Sequence, residues 1–326
     1  MKAIVVSEFG GPNVLQYKGI DIPTISPNQV LVRVVATSVN FADIGSRYGK
    51  YHGGKQPPFI PGLDAAGVIE KVGSGVQNLK VGQRVIAFPK NGSYAEYIVA
   101  DENLTFILPD HVDFQTAAAS PLVSFTSYKL LADVARLEPG ETVLIHAAAG
   151  GIGTTAIQLA KILGAGKVIG TVGSENKMAT PLEVGADHVI CYEKEDFASR
   201  VNELTDGEGA NVILDPISGW VTEKGIDCLA GYGRMVIFGN ASKSIAQIKT
   251  KDLHSSCRSV LGFSITTTRN KRPHLLKETA DKVLGYLADD QLKIKIGNVF
   301  ALENAADAHS LVESRKSLGK VLLEIK

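Results

Sequence analysis

The chain has 326 residues, 34 Lys plus Arg against 34 Asp plus Glu, and 44% apolar residues, enough for two domains with real cores. That neutral balance gives no support to a nucleic-acid partner, and no apolar run approaches the length of a membrane span. Three widely spaced cysteines (Cys191, Cys228, Cys257) and an N-terminus without a signal-peptide core point to a reducing, cytoplasmic setting.

Up to about residue 120 the pattern is β-rich. Lys2–Val6, Val30–Val39, Ala66–Val72, Arg84–Phe88 and Ala95–Val99 read as strands, punctuated by Gly10-Gly11-Pro12, Pro57-Pro58, Gly73-Ser74-Gly75 and Asn91-Gly92. From about residue 122 apolar strands alternate with helical patterns. The strands are Thr142–His146, Lys167–Thr171, His188–Cys191, Val212–Pro216 and Arg234–Phe238; the helices fall near 123–135, 153–163, 176–184, 195–205 and 219–230. Such alternation predicts a parallel sheet covered by helices on both faces. A helix at 274–289, a strand at 293–300, a helix at 304–315 and a strand at 319–325 close the chain. The last strand reads like those of the first segment, so the chain is expected to return to its first domain.

Residues 140–161 carry the sharpest signal. An apolar run, Val143-Leu144-Ile145, meets Gly150-Gly151-Ile152-Gly153, and a helical pattern from Thr154 to Lys161 follows at once. Strand, glycine turn and helix in that order are the context of a dinucleotide-binding turn. Glycines let the chain turn tightly, and the free N–H groups and dipole of a helix N-terminus favour a pyrophosphate. The spacing is Ala148-x-Gly150-x-x-Gly153, with alanine at the first glycine position. The alternative is a strand–helix turn that binds nothing.

Several further segments join this one. They are Phe9-Gly10-Gly11-Pro12, Val39-Asn40-Phe41-Ala42-Asp43, Gly62-Leu63-Asp64-Ala65-Ala66-Gly67, Val72-Gly73-Ser74-Gly75-Val76 and Gln158-x-x-Lys161. Together they resemble the zinc-independent, zeta-crystallin-like quinone oxidoreductases of the medium-chain dehydrogenase/reductase superfamily, in order and over essentially the whole chain. The resemblance implies an α/β protein: a GroES-like β-rich catalytic domain (1–124 and 267–326) and a Rossmann NADPH-binding domain, doubly wound on a parallel sheet (125–266). The active site is expected in the cleft between them. It also implies a homodimer, formed through an edge strand near Ser259-Val260-Leu261-Gly262-Phe263.

Zinc-dependent relatives bind metal through Cys, His and Glu or Asp. Here those positions read Ser38-Val39-Asn40 and Gly62-Leu63-Asp64, and no cysteine precedes Cys191, so no metal is expected. The second Rossmann strand ends at Gly173-Ser174 rather than at an acidic residue, with Lys177 close behind, and Tyr192, after the next strand, lies where the resemblance implies a further adenosine-phosphate contact. That pattern favours NADPH over NADH; Glu175 is the dissenting residue. By resemblance, Thr126, Phe238-Gly239-Asn240, Leu261 and Phe263 line the nicotinamide, although each also reads as plain helix or turn structure. His146 reads as a structural histidine beneath the turn.

Hydride transfer is the cofactor's chemistry, and the protein supplies position and polarisation. Asn40 and Tyr51 are the catalytic candidates. By resemblance, Asn40, in the family's Val-Asn-Phe/Tyr-x-Asp element, is expected to donate to a carbonyl or to the cofactor, and Tyr51, matching a family tyrosine at the cleft, to place its phenol near the nicotinamide or the carbonyl oxygen and aid an oxyanion. Asp43 and Asp64 read as structural carboxylates. Phe41, Tyr48, Tyr51, Phe125 and Phe263 form either an apolar slot for a planar ring or ordinary core. The segment from Thr266 to Arg272 reads as a polar loop. Quinones are the expected acceptors; reduction of α,β-unsaturated carbonyls and cofactor binding without catalysis are the alternatives.

Overall fold

In the computed structural model, residues 1–51 and 54–325 are described. The chain begins with β1 (Lys2–Val6), β2 (Leu15–Gly19), β3 (Gln29–Val39), α1 (Phe41–Arg47), β4 (Ala65–Val72), β5 (Arg84–Ala87), β6 (Tyr97–Asp101) and β7 (Thr105–Ile107). Next come α2 (Phe114–Ala119), α3 (Pro121–Tyr128) and a π-helical turn over Lys129–Val134. An alternating series follows: β8 (Thr142–Ile145), α4 (Gly151–Ile162), β9 (Lys167–Val172), α5 (Ala179–Glu183), β10 (His188–Cys191), α6 (Phe197–Leu204), β11 (Ala210–Asp215), α7 (Trp220–Gly225), β12 (Leu229–Ile237), α8 (Lys251–His254) and β13 (Ser259–Gly262). The chain closes with α9 (Ile265–Lys271), α10 (Leu276–Ala288), β14 (Ile296–Ala301), α11 (Ala305–Glu313) and β15 (Lys320–Glu324).

These elements form two compact units, one of Met1–Phe125 with Thr266–Lys326 and one of Thr126–Ile265. In the first, β14, β15, β3, β4, β5 and β7 pair in that order, and β6 also pairs with β3. β3 is the spine: eleven residues, nine of them buried, with partners on β4, β6 and β15. β15 lies antiparallel to β3, Val321 opposite Val39.

In the second unit six parallel strands run in the order β10-β9-β8-β11-β12-β13. Their apolar residues are buried on both faces, which is why these strands read as continuous apolar runs rather than as alternation. Leu144, Ile169, Ile213 and Met235 join Phe197, Val201 and Val221 from the covering helices in one core. Each large apolar side chain so buried stabilises by about 1.5–3 kcal/mol.

The structure departs from the sequence reading in identifiable places. α1 was not expected; the backbone N–H of Asn40, at its N-cap, donates to Asp43 Oδ2 at 2.8 Å, so the Asn-x-x-Asp spacing was its signal. The expected loop from Thr266 is instead α9, held by Ile265 and Arg269, four residues apart and both buried. Phe125 packs between Phe88 and Phe106, with ring centroids 5.2 and 5.4 Å away, and is fully buried. It belongs to core, not to a slot.

Candidate functional site

In the unit Thr126–Ile265, β8 ends at Ile145 and Gly150 caps α4 with ordinary extended backbone. The glycine requirement lies at Gly153, where a Cβ would stand 2.5 Å from Ala147 O and 2.6 Å from Ala148 Cα. The first turn of α4 therefore packs backbone against backbone on the preceding loop. The leading N–H groups of an α-helix, here from Gly151, Ile152 and Gly153, have no partner within it and can hold an anion.

The other expected residues of this unit gather at the carboxyl ends of the neighbouring strands. Gly173 and Ser174 follow β9, and Tyr192 follows β10. Phe238, Gly239 and Asn240 follow β12; Leu261 lies in β13 and Phe263 just beyond it. The strand order reverses between β8 and β11, the place where sheets of this kind take their ligands. A Cβ on Gly173 would lie 2.7 Å from the Tyr192 hydroxyl, so only glycine lets the phenol rest on this strand end. Lys177 closes the 3-10 turn that begins after Ser174, and its N–H donates to Ser174 O at 3.1 Å. Glu175 points outward, two-thirds exposed, 4.0 Å from Lys194. Phe263 N–H donates to Ile237 O at 3.0 Å, which holds the ends of β12 and β13 together.

Two buried polar atoms here have no partner among the described residues. Thr126 is 3% exposed and its Oγ1 is bare, although it stands in the last turn of α3 rather than at a helix start. His146 donates to or accepts from Thr171 Oγ1 at 2.8 Å through Nδ1, while Nε2 is bare. The histidine is structural but only half satisfied. Burial pushes its pKa down to about 4, against the pull of Asp215, so the ring is neutral.

The other unit carries Asn40 and Tyr51. Asn40 is engaged on every side. Its Nδ2 donates to Asp64 Oδ1 at 3.0 Å and to Ser38 Oγ at 3.3 Å, and its Oδ1 accepts from Lys320 Nζ at 2.6 Å. Asp64 also accepts from Ser38 Oγ at 2.7 Å and from Leu122 N–H at 2.9 Å. Behind Asn40, Asp43 Oδ2 accepts from Tyr94 at 3.2 Å, Tyr94 meets His309 Nε2 at 3.0 Å, and His309 Nδ1 meets Arg47 at 3.2 Å. Arg47 can only donate, so His309 Nδ1 accepts and Nε2 carries the proton toward Tyr94. Burial raises Asp43 to about 7 and, with the charge of Arg47, lowers His309 to about 3. Lys320, buried beside Asp64 and Asp43, is held below the usual lysine range by desolvation. Tyr51 packs over Gly45 of α1, and its hydroxyl lies 2.8 Å from Thr266 Oγ1. Burial raises its phenol pKa.

Two family models match this chain: an alcohol dehydrogenase GroES-like domain over residues 26–110 and a zinc-binding dehydrogenase over 151–281. A quinone oxidoreductase of Pseudomonas aeruginosa is 38% identical over 99% of both chains. The crystal structure of a Pseudomonas syringae quinone oxidoreductase superposes with a TM-score of 0.92 at 37% identity, covering 99% of each chain. That of the Escherichia coli quinone oxidoreductase complexed with NADPH gives 0.91 at 34% identity, covering 99% of this chain and all of that one. The chain belongs to the quinone oxidoreductase family. It is an oxidoreductase of the medium-chain dehydrogenase/reductase superfamily.

Within this quinone oxidoreductase fold, no group of three or more His, Cys, Asp or Glu side chains among the described residues could hold a metal ion. Ser38 and Asp64 are instead hydrogen-bonded to each other. Sequence reasoning missed Lys320 as a partner of Asn40, Arg269 as a charge acting on Tyr51, and His309 in the network behind Asn40. Lys320 lies 280 residues from Asn40, and no local pattern marks such a pairing.

Proposed function

We propose that this chain is a metal-independent, NADPH-dependent quinone reductase acting as a homodimer in the cytoplasm. The observation that carries the cofactor choice is the end of β9. It offers Gly173 under the Tyr192 hydroxyl and Ser174 beside it, with Lys177 one turn on and Glu175 pointing outward. A 2′-phosphate suits that group better than a bare ribose hydroxyl. Gly151, Ile152 and Gly153 would hold the pyrophosphate on their N–H groups. Thr126 Oγ1, bare and buried, fits a polar group of the nicotinamide, and Phe238, Gly239, Asn240, Leu261 and Phe263 would flank the ring.

When bound, NADPH supplies a hydride. The chain's own part is to orient the acceptor and to steady the charge left on its oxygen. Tyr51 presents a hydroxyl for that. Asn40 acts through its fixed amide, which with Ser38, Asp64 and Lys320 sets the shape beside α1. Water delivers the final proton. The metal-independent reading rests on the donor set at the family's ligand positions, a serine, a leucine and one carboxylate already bonded to three donors. β13 is half-exposed at the edge of its sheet and suits pairing with a second copy. Three free cysteines, two of them buried, suit a reducing compartment.

The test is oxidation of NADPH and of NADH by chelator-treated protein with phenanthrenequinone, benzoquinone and a set of small enones. Quinone turnover that prefers NADPH supports the reading. Turnover of enones alone moves the protein to the alkene reductases, and cofactor binding without turnover makes it a binding protein.

A further inference from the structure

α9 buries a charge that finds no carboxylate at contact distance. Arg269 is 8% exposed, yet none of the ion pairs among the described residues includes it. Buried guanidinium groups are ordinarily paired. Here Nη1 donates to Leu63 O and Nη2 to Pro89 O, both at 3.2 Å, and the Phe88 ring centroid lies 4.7 Å from Cζ. The planar group is thus pinned at two corners and on one face. Nε is buried and has no partner among the described residues.

The neighbours define what is missing. Thr266, one turn earlier on α9, holds the Tyr51 hydroxyl at 2.8 Å. Tyr51 and Arg269 act on each other electrostatically, the charge opposing the rise that burial imposes on the phenol. Lys55, anchored through Nζ to Lys90 O at 2.7 Å, is lowered by burial and then by the charge of Arg269. The carboxylates that act on Arg269 are Asp64 and Asp43, and both are committed elsewhere: Asp64 to Ser38, Asn40 and Leu122, Asp43 to Asn40 and Tyr94. Two cations, a phenol and a bare N–H lack one component, an anionic oxygen.

We propose that Arg269, together with Tyr51, binds the oxygen on which the reduced acceptor carries its negative charge. The inference rests on the quinone-reductase reading above. A quinone that takes up a hydride, two electrons and one hydrogen nucleus, becomes a hydroquinone monoanion while the nicotinamide is oxidised to its pyridinium form. One proton from water then gives the neutral hydroquinone. The ligand class for this site is therefore a planar phenolate. Arg269 is a catalytic residue because it touches the oxygen where charge develops, and a charge-assisted N–H···O⁻ bond is the strong kind.

The probe is 4-nitrophenol, whose ionised form absorbs at longer wavelength than the neutral phenol. Wild type, R269Q, R269K and Y51F are titrated with it across pH in the absence of cofactor. Phenanthrenequinone reduction is measured alongside. The expected result is that wild type favours ionisation of the bound probe by about tenfold or more. R269Q is expected to lose that shift and to lose kcat more than it raises KM, and R269K to keep part of both. R269Q that is folded by circular dichroism and still ionises the probe as wild type does overturns the proposal. If R269Q does not fold, full retention of the shift in both R269K and Y51F overturns it equally. Failure of wild type to bind or ionise the probe also overturns it. Arg269-dependent ionisation in a protein that reduces no quinone upholds the anion site and sinks the quinone reading instead.

Discussion

In Thr126–Ile265 the residues proposed to meet a ligand are backbone turns and side chains at the ends of five of the six parallel strands. The other unit instead buries long or charged side chains that hold one another: Asn40, Asp43, Asp64, Tyr94, His309 and Lys320. The first arrangement is made by strand order and helix starts, so a change at one position acts locally. The second is a network in which each buried group depends on the next, and removing one strands its partners without water.

The largest effect should come from that network. Asp64→Ala strands Ser38, Asn40 and the Leu122 N–H and takes away a balancing charge beside Lys320 and Arg269. We expect a loss of about 3–5 kcal/mol in urea unfolding, with NADPH affinity of whatever protein folds close to wild type. Affinity falling in step with stability would show that the two units are not independent. Next is Gly153→Val in the other unit. The added carbons clash with Ala147 O and Ala148 Cα and push α4 off its loop. Overpacking of this kind costs about 1–3 kcal/mol. NADPH fluorescence titration should show affinity weakened by about ten- to a hundredfold.

Both predictions bear on what the sequence could reveal. The parallel-sheet unit was legible because its strands and helices carry their own periodicity and its glycine turn lies within twenty residues of sequence. Gly173, Ser174 and Tyr192 could be located along the fold because they directly follow strands, and Lys177 because it closes the turn after β9. The network was not legible, since its bonds join Asn40 to Lys320 and Tyr94 to His309 across more than two hundred residues. Asn40 was read as a free donor, whereas its amide is consumed within its own unit. Arg269 fell in a stretch read as a polar loop because neither its burial nor its bare Nε has a local signature.

A smaller effect sharpens the contrast within the nucleotide unit. Ser174→Asp places an acid at the end of β9, and we expect the NADPH-over-NADH preference to fall by about tenfold while stability stays within roughly 0.5 kcal/mol. Unchanged preference would remove the β9 end from cofactor selection. The gentlest test uses pH. Asp43 titrates near 7 in the folded protein, well above its ordinary value of 3.8, so the folded state holds a proton that the unfolded chain has released. Its contribution is fullest below about 4 and is lost as pH rises through 7. Asp43→Asn should therefore gain melting temperature relative to wild type between pH 4 and 7 and level off above. His146 works in the opposite sense. Its folded value near 4 lies below the ordinary 6.5, so its contribution is present above 6.5 and lost as pH falls toward 4, a slope that His146→Asn should flatten. Opposite changes of slope in the two variants would confirm that these two groups answer acid in opposite senses; His309, in the unit of Asp43, shares the sense of His146.

The pairing of β15 with β3 sets a schedule for the ribosome. β3 is made early, yet its partner from Lys320 to Glu324 emerges almost three hundred residues later. Until then the sheet has an open flank next to Val39, and Asn40 lacks the ammonium that holds its amide. The unit Thr126–Ile265 is synthesised entirely in the interval and can fold on its own while the ends wait. A nascent chain stalled after residue 300 would thus expose a ready cofactor fold beside an unfinished, adhesive sheet, a substrate for chaperones rather than an enzyme.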